Sequence, residues 1–561
     1  MISNLKTGRG YKEDRFDRYS KAVTLIFLVC ALLVGAFYHT YFEEYDGAYL
    51  LWAGKAIFED KGYRGWTSYF WPPLFSFLTG FTNLFLDDLF LSGKIVSILA
   101  GTVYVYTSYH ILKQFVNKKT ALLTQILLAT TPLVFRDSFI VENHMLSASL
   151  FSISIYFLLT RDTPTTKNIF LSGIFAGLSF LTRYSSGALV GIVPLYFVLT
   201  SKKDFRRALI NSGFFILVMV LTSSPWLIAN YSYNGSPLYS KQYVNLGMGM
   251  GQSRTLPFHP YDFEWEYQSQ FHSVKDIILF SPLGFLKHWI VHAIKNLPML
   301  LAEIMMINFV FLTAGCVIVL IRLISLELDN KLKLALITIG VYSVLITIAF
   351  SFMDMYLEIL PLTFAIMALF FDEYVDADTK HGKTLDKIPA GKKINEIIHK
   401  ILSFVSFNTI VLILIIINIL LTTYSVWEYE NDERSITEYE MVGYALKKQQ
   451  SGGTVMSVSP NYAYYAGMNH VTLPYLISKE LTPEELVNYK NFSKEVLDYA
   501  PRNPPNINPQ DKIVDYLVYD TSDNGTIPQY NFLFNSSDKR IPGNFEQIYL
   551  SNKSVVYRIN W

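Results

Sequence analysis

Long apolar stretches recur along this chain, at 21–39, 91–112, 120–137, 145–160, 168–184, 186–200, 208–229, 302–323, 332–351, 355–371 and 401–423. Each is near the roughly 20 residues that an α-helix needs to cross a hydrocarbon layer about 30 Å thick. Lipid cannot hydrogen-bond a backbone, so such stretches cross as helices. The pattern restricts the chain to a polytopic α-helical membrane protein with about eleven spans. Composition agrees: 51% of the 561 residues are hydrophobic and 17% charged, against about 25% charged in soluble domains. A net charge of +1 excludes a global basic field for nucleic acid. Cys30 and Cys316 lie in apolar runs, offer neither a disulfide framework nor a CxxC pair, and are expected to be buried, inert thiols.

The first stretch is too long for a cleavable signal peptide, lacks a small-residue cleavage site and is followed by further spans. Basic residues set the orientation. With residues 1–20 in the cytoplasm, the cytoplasmic segments hold 24 Lys and Arg and the opposite ones 11. An odd span count then puts everything after 423 outside. The transmembrane domain covers 21–423, with long outer loops at 40–90 and 230–297. Residues 424–561 form a small extracytoplasmic α/β domain, acidic with 12 Lys+Arg against 17 Asp+Glu. Its expected elements are a helix over 435–449, strands at TVMSVS and at 515–520, and a hairpin in QIYLSNKSVVYRI. In the first outer loop, Tyr49, Trp52, Ala53 and Ala56 recur at helical spacing, which predicts an amphipathic helix over 47–58 lying along the membrane surface. The second outer loop, rich in Tyr, Gly, Pro and His, shows no strong periodicity.

Acidic residues at membrane-surface depth are functional candidates. Asp46 stands at the start of the 47–58 helix, where the helix dipole favours the ionised form. It is also a good helix cap, and a capping carboxylate can still accept a proton. Glu142 is the second acid on the same face, while neighbouring Asp137 reads as a partner for Arg136. Outer cations are few, so Arg64, Arg136, Arg183 and Lys241 are candidates to meet an anionic headgroup, against simple interfacial anchoring. Arg183 is the strongest of them, in the short turn LTRYSS between two spans. His288 and His292 have ligand spacing at i, i+4 but no HExxH or Cys support, so a divalent metal stays open. No phosphate-binding Gly-rich motif follows a strand.

The order of several motifs resembles the GT-C glycosyltransferases, nearest the protein O-mannosyltransferase and aminoarabinose-transferase group. Asp46, Tyr49 and Ala53 precede Trp71-Pro72-Pro73-Leu74. Thr131-Pro132 precedes Glu142. Leu181-Thr182-Arg183-Tyr184 is similar to the group's basic-Tyr turn. Pro225-Trp226-Leu227-Ile228-Ala229-Asn230 with Gly235-Ser236-Pro237 is similar to its Pro-Trp-x-x-x-Asn and Gly-x-Pro signature. The resemblance covers roughly 20–370. It implies an inverting transfer of a sugar from a polyprenyl-phosphate donor to a protein, lipid or glycan acceptor outside the membrane, in a prokaryotic cell envelope. It implies Asp46 as general base, with Glu142 the further catalytic acid, and Arg183, Arg136, Arg64, Lys241 and Tyr49 as binding residues.

Two departures stand out. Asp46 is followed by Gly47 where relatives often have a second acid. Asp354-Met355-Tyr356 stands where many carry Arg-Tyr. The competing reading, a transporter or flippase of a lipid-linked sugar, calls for mid-membrane polar residues and repeats. Neither is visible in the sequence.

Overall fold

The computed structural model describes residues 14–37, 46–59, 62–63, 70–161, 163–201, 204–257, 271–348, 353–374, 407–430, 436–449, 452–473, 482–483, 514–520 and 528–560. Helices occupy all eleven apolar stretches: Arg15–Phe37, Leu89–Leu112, Lys118–Ala129 with Pro132–Asp137, His144–Leu159, Thr166–Phe180, Leu189–Thr200, Phe205–Asn234, Asn308–Ile324, Asn330–Ile346, Leu360–Tyr374 and Phe407–Glu430. Among the described residues four are by themselves long and apolar enough to cross a bilayer: Arg15–Ala36, Leu89–Leu112, Phe205–Asn234 and Thr409–Glu428. The others are shorter or interrupted. Asp88, Asn117, Thr165, Asp204 and Asp329 each start a helix by accepting a hydrogen bond from the backbone amide three residues on, worth about 1 kcal/mol apiece.

Two expected continuous spans are broken, for local reasons. The 120–137 stretch stops at Thr130-Thr131, and Pro132, which has no amide hydrogen to give, opens a new short helix. The 302–323 stretch breaks at Met306, which takes a positive φ of 46° between helices ending at Met305 and starting at Asn308. The second outer loop, read as aperiodic, holds the helices Tyr243–Gln252, Val274–Phe280 and Pro282–Val291. The last two belong to a pair bent by 107°.

Leu89–Leu112 is the central helix, with 56% of its apolar window buried, against 22% for both Arg15–Ala36 and Thr409–Glu428. The exposed apolar faces of those outer helices, such as Leu25, Ile26, Leu412 and Leu420, suit contact with lipid tails. Cys30 and Cys316 share that position. Both are exposed on helix surfaces, not buried as expected, because their apolar neighbours belong to faces turned away from the core.

The helix Asp46–Phe58 also departs from expectation. Its residues Gly47 to Leu51, Ala53 and Gly54 are buried, so it is enclosed by protein on more than one side. One neighbour is the helix Leu74–Leu86. A Cβ on Gly54 would lie 2.5 Å from the Ser76 carbonyl oxygen, and one on Gly80 would collide with the Gly54 carbonyl. Glycine at both positions lets the two backbones touch.

The C-terminal region carries a five-stranded sheet in the order β2-β1-β3-β5-β4. β1 (Thr454–Ser457) pairs in parallel with β2 (Asn469–Thr472) and β3 (Tyr516–Asp520). β5 (Ser554–Ile559) runs antiparallel to β3 and to β4 (Phe545–Leu550), forming the expected hairpin. The short helix Asn461–Ala466 joins β1 to β2, and Ile436–Gln449 packs on the sheet through Tyr439, Val442 and Leu446.

Candidate active site

The helix of Asp46, the Trp-Pro-Pro segment, the LTRY turn and the Trp226–Asn230 signature meet in space. Leu74 donates its amide to the Leu181 carbonyl at 2.8 Å, tying the Trp-Pro-Pro segment to the LTRY turn. The Trp226 indole donates to the Tyr184 hydroxyl at 3.0 Å. Tyr63 packs edge-on against Trp226 and donates to the Trp71 carbonyl at 3.0 Å. Ala53, Tyr63 and Trp226 share one buried apolar cluster with Leu181 and Tyr184 at its margin. Asn230 closes the set: its amide nitrogen donates to the carbonyls of Pro237 and Tyr239, folding back the chain after the left-handed Gly235. Gln242 then donates to the Phe70 carbonyl at 2.9 Å, which brings the loop carrying Lys241 against the Trp-Pro-Pro segment.

Asp46 is the first residue of its helix and partly exposed. Glu142 is 5% exposed, in the link between Pro132–Asp137 and His144–Leu159. The two share a support. A Cβ on Gly93, in the central helix, would meet both Val141 Cγ1 at 2.7 Å and Leu51 Cδ2 at 2.8 Å. The helix of Asp46 and the segment of Glu142 therefore rest side by side on that one gap. The Ser97 hydroxyl donates to the Glu142 carbonyl at 3.4 Å.

Charged groups gather around Arg183. Arg183 Nη1 donates to Asn143 Oδ1 at 3.4 Å and lies 3.5 Å from Asp354 Oδ2. His144 Nδ1 is 2.8 Å from the same Asp354 oxygen. Arg136 Nε pairs with Asp137 Oδ1 at 3.1 Å, as the sequence suggested. Ser147 donates to Glu358 Oε1 at 3.0 Å, and its hydroxyl also lies 3.2 Å from that of Ser186. Asp354 sits in the short turn of helix Met353–Tyr356, between longer apolar helices. Burial pushes its carboxyl up from the ordinary range, and the Arg183 guanidinium opposes that.

Asp354 and Glu358 are the acids that sequence reasoning missed. Asp354 stood out only as a departure from the family pattern, and no spacing in the sequence sets it against Arg183, 171 positions away. Of the other sequence candidates, Lys241 is buried, Arg64 lies outside the described residues, and Tyr49 is buried with its hydroxyl 2.9 Å from His470 Nδ1. His288 turns its Nδ1 to the Ser253 hydroxyl at 2.8 Å. Among the described residues no group of three or more His, Cys, Asp or Glu is arranged to hold a metal ion.

This architecture is the GT-C fold of membrane glycosyltransferases. Residues 71–228 match the family model of dolichyl-phosphate-mannose-protein mannosyltransferases. Two solved structures extend the likeness over nearly the whole chain. ArnT from Cupriavidus metallidurans, bound to undecaprenyl phosphate, is similar at TM-score 0.57 and 12% identity, over 96% of this chain and 98% of that one. The archaeal oligosaccharyltransferase AglB from Archaeoglobus fulgidus, in complex with an inhibitory peptide and a dolichol-phosphate, is similar at TM-score 0.53 and 11% identity, over 93% and 71%. No curated protein sequence matches the chain.

Proposed function

We propose that this protein is an integral-membrane glycosyltransferase that moves a sugar, with inversion, from a polyprenyl-phosphate donor to an acceptor hydroxyl on the extracytoplasmic face. The observation that carries the reading is the convergence, within a GT-C fold, of the Asp46 helix, the Trp-Pro-Pro segment, the LTRY turn and the Trp226–Asn230 signature. Both structural neighbours named above were solved with a polyprenyl phosphate.

In this reading Asp46 takes the proton from the acceptor hydroxyl as its oxygen attacks the anomeric carbon. The bond from that carbon to the phosphate oxygen breaks, and the lipid phosphate leaves with the electron pair. A carboxylate within hydrogen-bond reach is a competent general base. The leaving phosphate gains from cations held in place beforehand. Arg183 is one, with Asp354 as resident counter-ion. Asn143 supports a polar ligand beside it: its buried amide nitrogen has no hydrogen-bond partner among the described residues. Glu142 is the reserve acid, and Arg136, Lys241 and Arg64 are further binding candidates.

Transfer of radiolabelled mannose from a polyprenyl-phosphate donor, compared between the natural protein and Asp46→Asn, tests the reading. Transfer lost in the variant supports it. Transport of the lipid-linked sugar without hydrolysis or transfer favours a flippase. For the topology, Asn535 is exposed in the C-terminal domain, so Asn535→Cys should react with a membrane-impermeant thiol reagent on intact cells. Reaction only after permeabilisation would reverse the orientation.

A further inference from the structure

Helix Asp46–Phe58 is held from one side by a residue 421 positions away. The Tyr49 hydroxyl lies 2.9 Å from His470 Nδ1, and His470 Nε2 lies 3.0 Å from the Ser457 carbonyl oxygen. A carbonyl only accepts, so Nε2 carries the proton, Nδ1 is the bare nitrogen and the Tyr49 hydroxyl donates to it. Both side chains are buried, Tyr49 at 3% exposure and His470 at 0%. Burial lowers the imidazole to about 3, so this tautomer persists at any ordinary working pH.

A second contact runs parallel to the first. Trp52 packs against Tyr464, with ring centroids 5.7 Å apart, and Tyr49 packs against Trp52 at 5.9 Å. Tyr464 and His470 both come from the β1–helix–β2 unit of the C-terminal domain, where β1 and β2 are locked in parallel register. On the membrane-domain side, Tyr49 is three residues after Asp46, one turn along the same face of the helix. The clamp is therefore about 4.5 Å along the axis from the carboxylate-bearing residue.

We propose that His470 is a positioning residue for the transfer reaction, fixing through Tyr49 the rotation and depth of helix 46–58 and hence the placement of Asp46. The inference rests on the reading of Asp46 as general base. Apolar packing holds the helix by shape, and a directional hydrogen bond adds what shape lacks, resistance to turning about the axis. Misplacing a catalytic group by about 1 Å can cost as much as 10²-fold in rate, so a modest turn is enough to matter.

The full-length protein in lipid nanodiscs serves for two measurements on Tyr49→Phe, His470→Ala and the double variant. The first is amide hydrogen exchange over residues 46–58, which needs no substrate. The second is transfer of radiolabelled mannose from polyprenyl-phosphate mannose. We expect faster exchange confined to that helix. We expect kcat lower by about 10-fold with the donor KM within twofold, a double variant no worse than either single one, and partial rescue by His470→Asn, whose side-chain oxygen can accept from Tyr49.

Unchanged exchange over 46–58 overturns the proposal whatever sugar the protein uses. So does a raised donor KM at unchanged kcat, which would make Tyr49 a substrate contact. If exchange quickens but Asp46→Asn keeps full transfer, the reading of Asp46 has failed and His470 positions nothing catalytic. If Asp46→Asn is inactive while Tyr49→Phe and His470→Ala turn over normally, the base stands and the positioning role falls.

Discussion

The Asp46 helix, through Ala53, and the turn that carries Arg183, through Leu181 and Tyr184, border one apolar cluster but are built from opposite materials. The helix is fixed by close approach: glycine against backbone at Gly54 and Gly80, aromatic rings around Ala53, and one hydrogen bond to His470. The pocket is fixed by charge: Arg183 and His144 converge on Asp354, while Arg136 holds Asp137. Close packing is stiff and responds poorly to any change of volume. A pair such as Arg183 and Asp354, at 3.5 Å, can trade one partner for another when an anion arrives. In the proposed reaction the base would stand on the rigid side and the phosphate would meet the exchangeable one.

The sharpest way to break that comparison is Asp46→Asn. Asn matches Asp in size and keeps a polar side chain at the helix start, so folding should survive while turnover falls by about 10²-fold or more. Near-normal transfer would reduce Asp46 to a helix-start residue and pass the role to Glu142. Next comes Gly80→Ala, whose methyl would collide with the Gly54 carbonyl. Overpacking of this kind costs about 1–3 kcal/mol, read as a lower melting temperature with the Asp46 helix exchanging faster. An unchanged melting temperature would mean the crossing yields more easily than packing implies.

The exchangeable side can be pushed both ways. Arg183→Met should weaken binding of undecaprenyl phosphate by about 10-fold, as expected for one lost charge-assisted hydrogen bond. Asp354→Asn should tighten it, since the guanidinium loses its resident competitor. If both variants weaken binding equally, the pair acts as one structural unit. The methionine variant also leaves Asp354 without its nearest guanidinium, so its folded yield should be lower than that of Asp354→Asn.

The smallest effect concerns pH. His470 is neutral when folded, lowered to about 3, whereas an unfolded histidine titrates near about 6.5. Below that value the unfolded chain binds a proton that the folded one refuses, so stability falls as pH drops from about 6.5 toward 3. His470→Asn should flatten that part of the melting-temperature profile, measured by scanning calorimetry. An identical slope in both proteins would assign the acid sensitivity to other groups.

Much of the frame was legible in the sequence. Apolar runs marked the helices, and alternating β-rich segments marked Thr454–Ser457, Tyr516–Asp520 and the final hairpin. The motif order also picked out segments that do meet. What periodicity could not carry was contact between distant elements. Gly54 and Gly80 read as ordinary small residues until the crossing brings them together. Tyr49 read as a binding residue because nothing local shows its hydroxyl already engaged. His470 sits in a polar segment with no spacing to single it out. Asp354 looked like a lost cation, and only the fold reveals the arginine it faces.

The Tyr49–His470 contact also dates the completion of the molecule. The two residues are 421 positions apart, and a ribosome adding about 5–20 residues per second needs roughly 20 to 80 s to cover that distance. Throughout that interval the helix Asp46–Phe58 can dock against Leu74–Leu86 but not against its last partner. A nascent chain therefore carries its proposed base long before the base is locked in position, and a copy stopped before β2 would keep that helix without its Tyr49–His470 clamp.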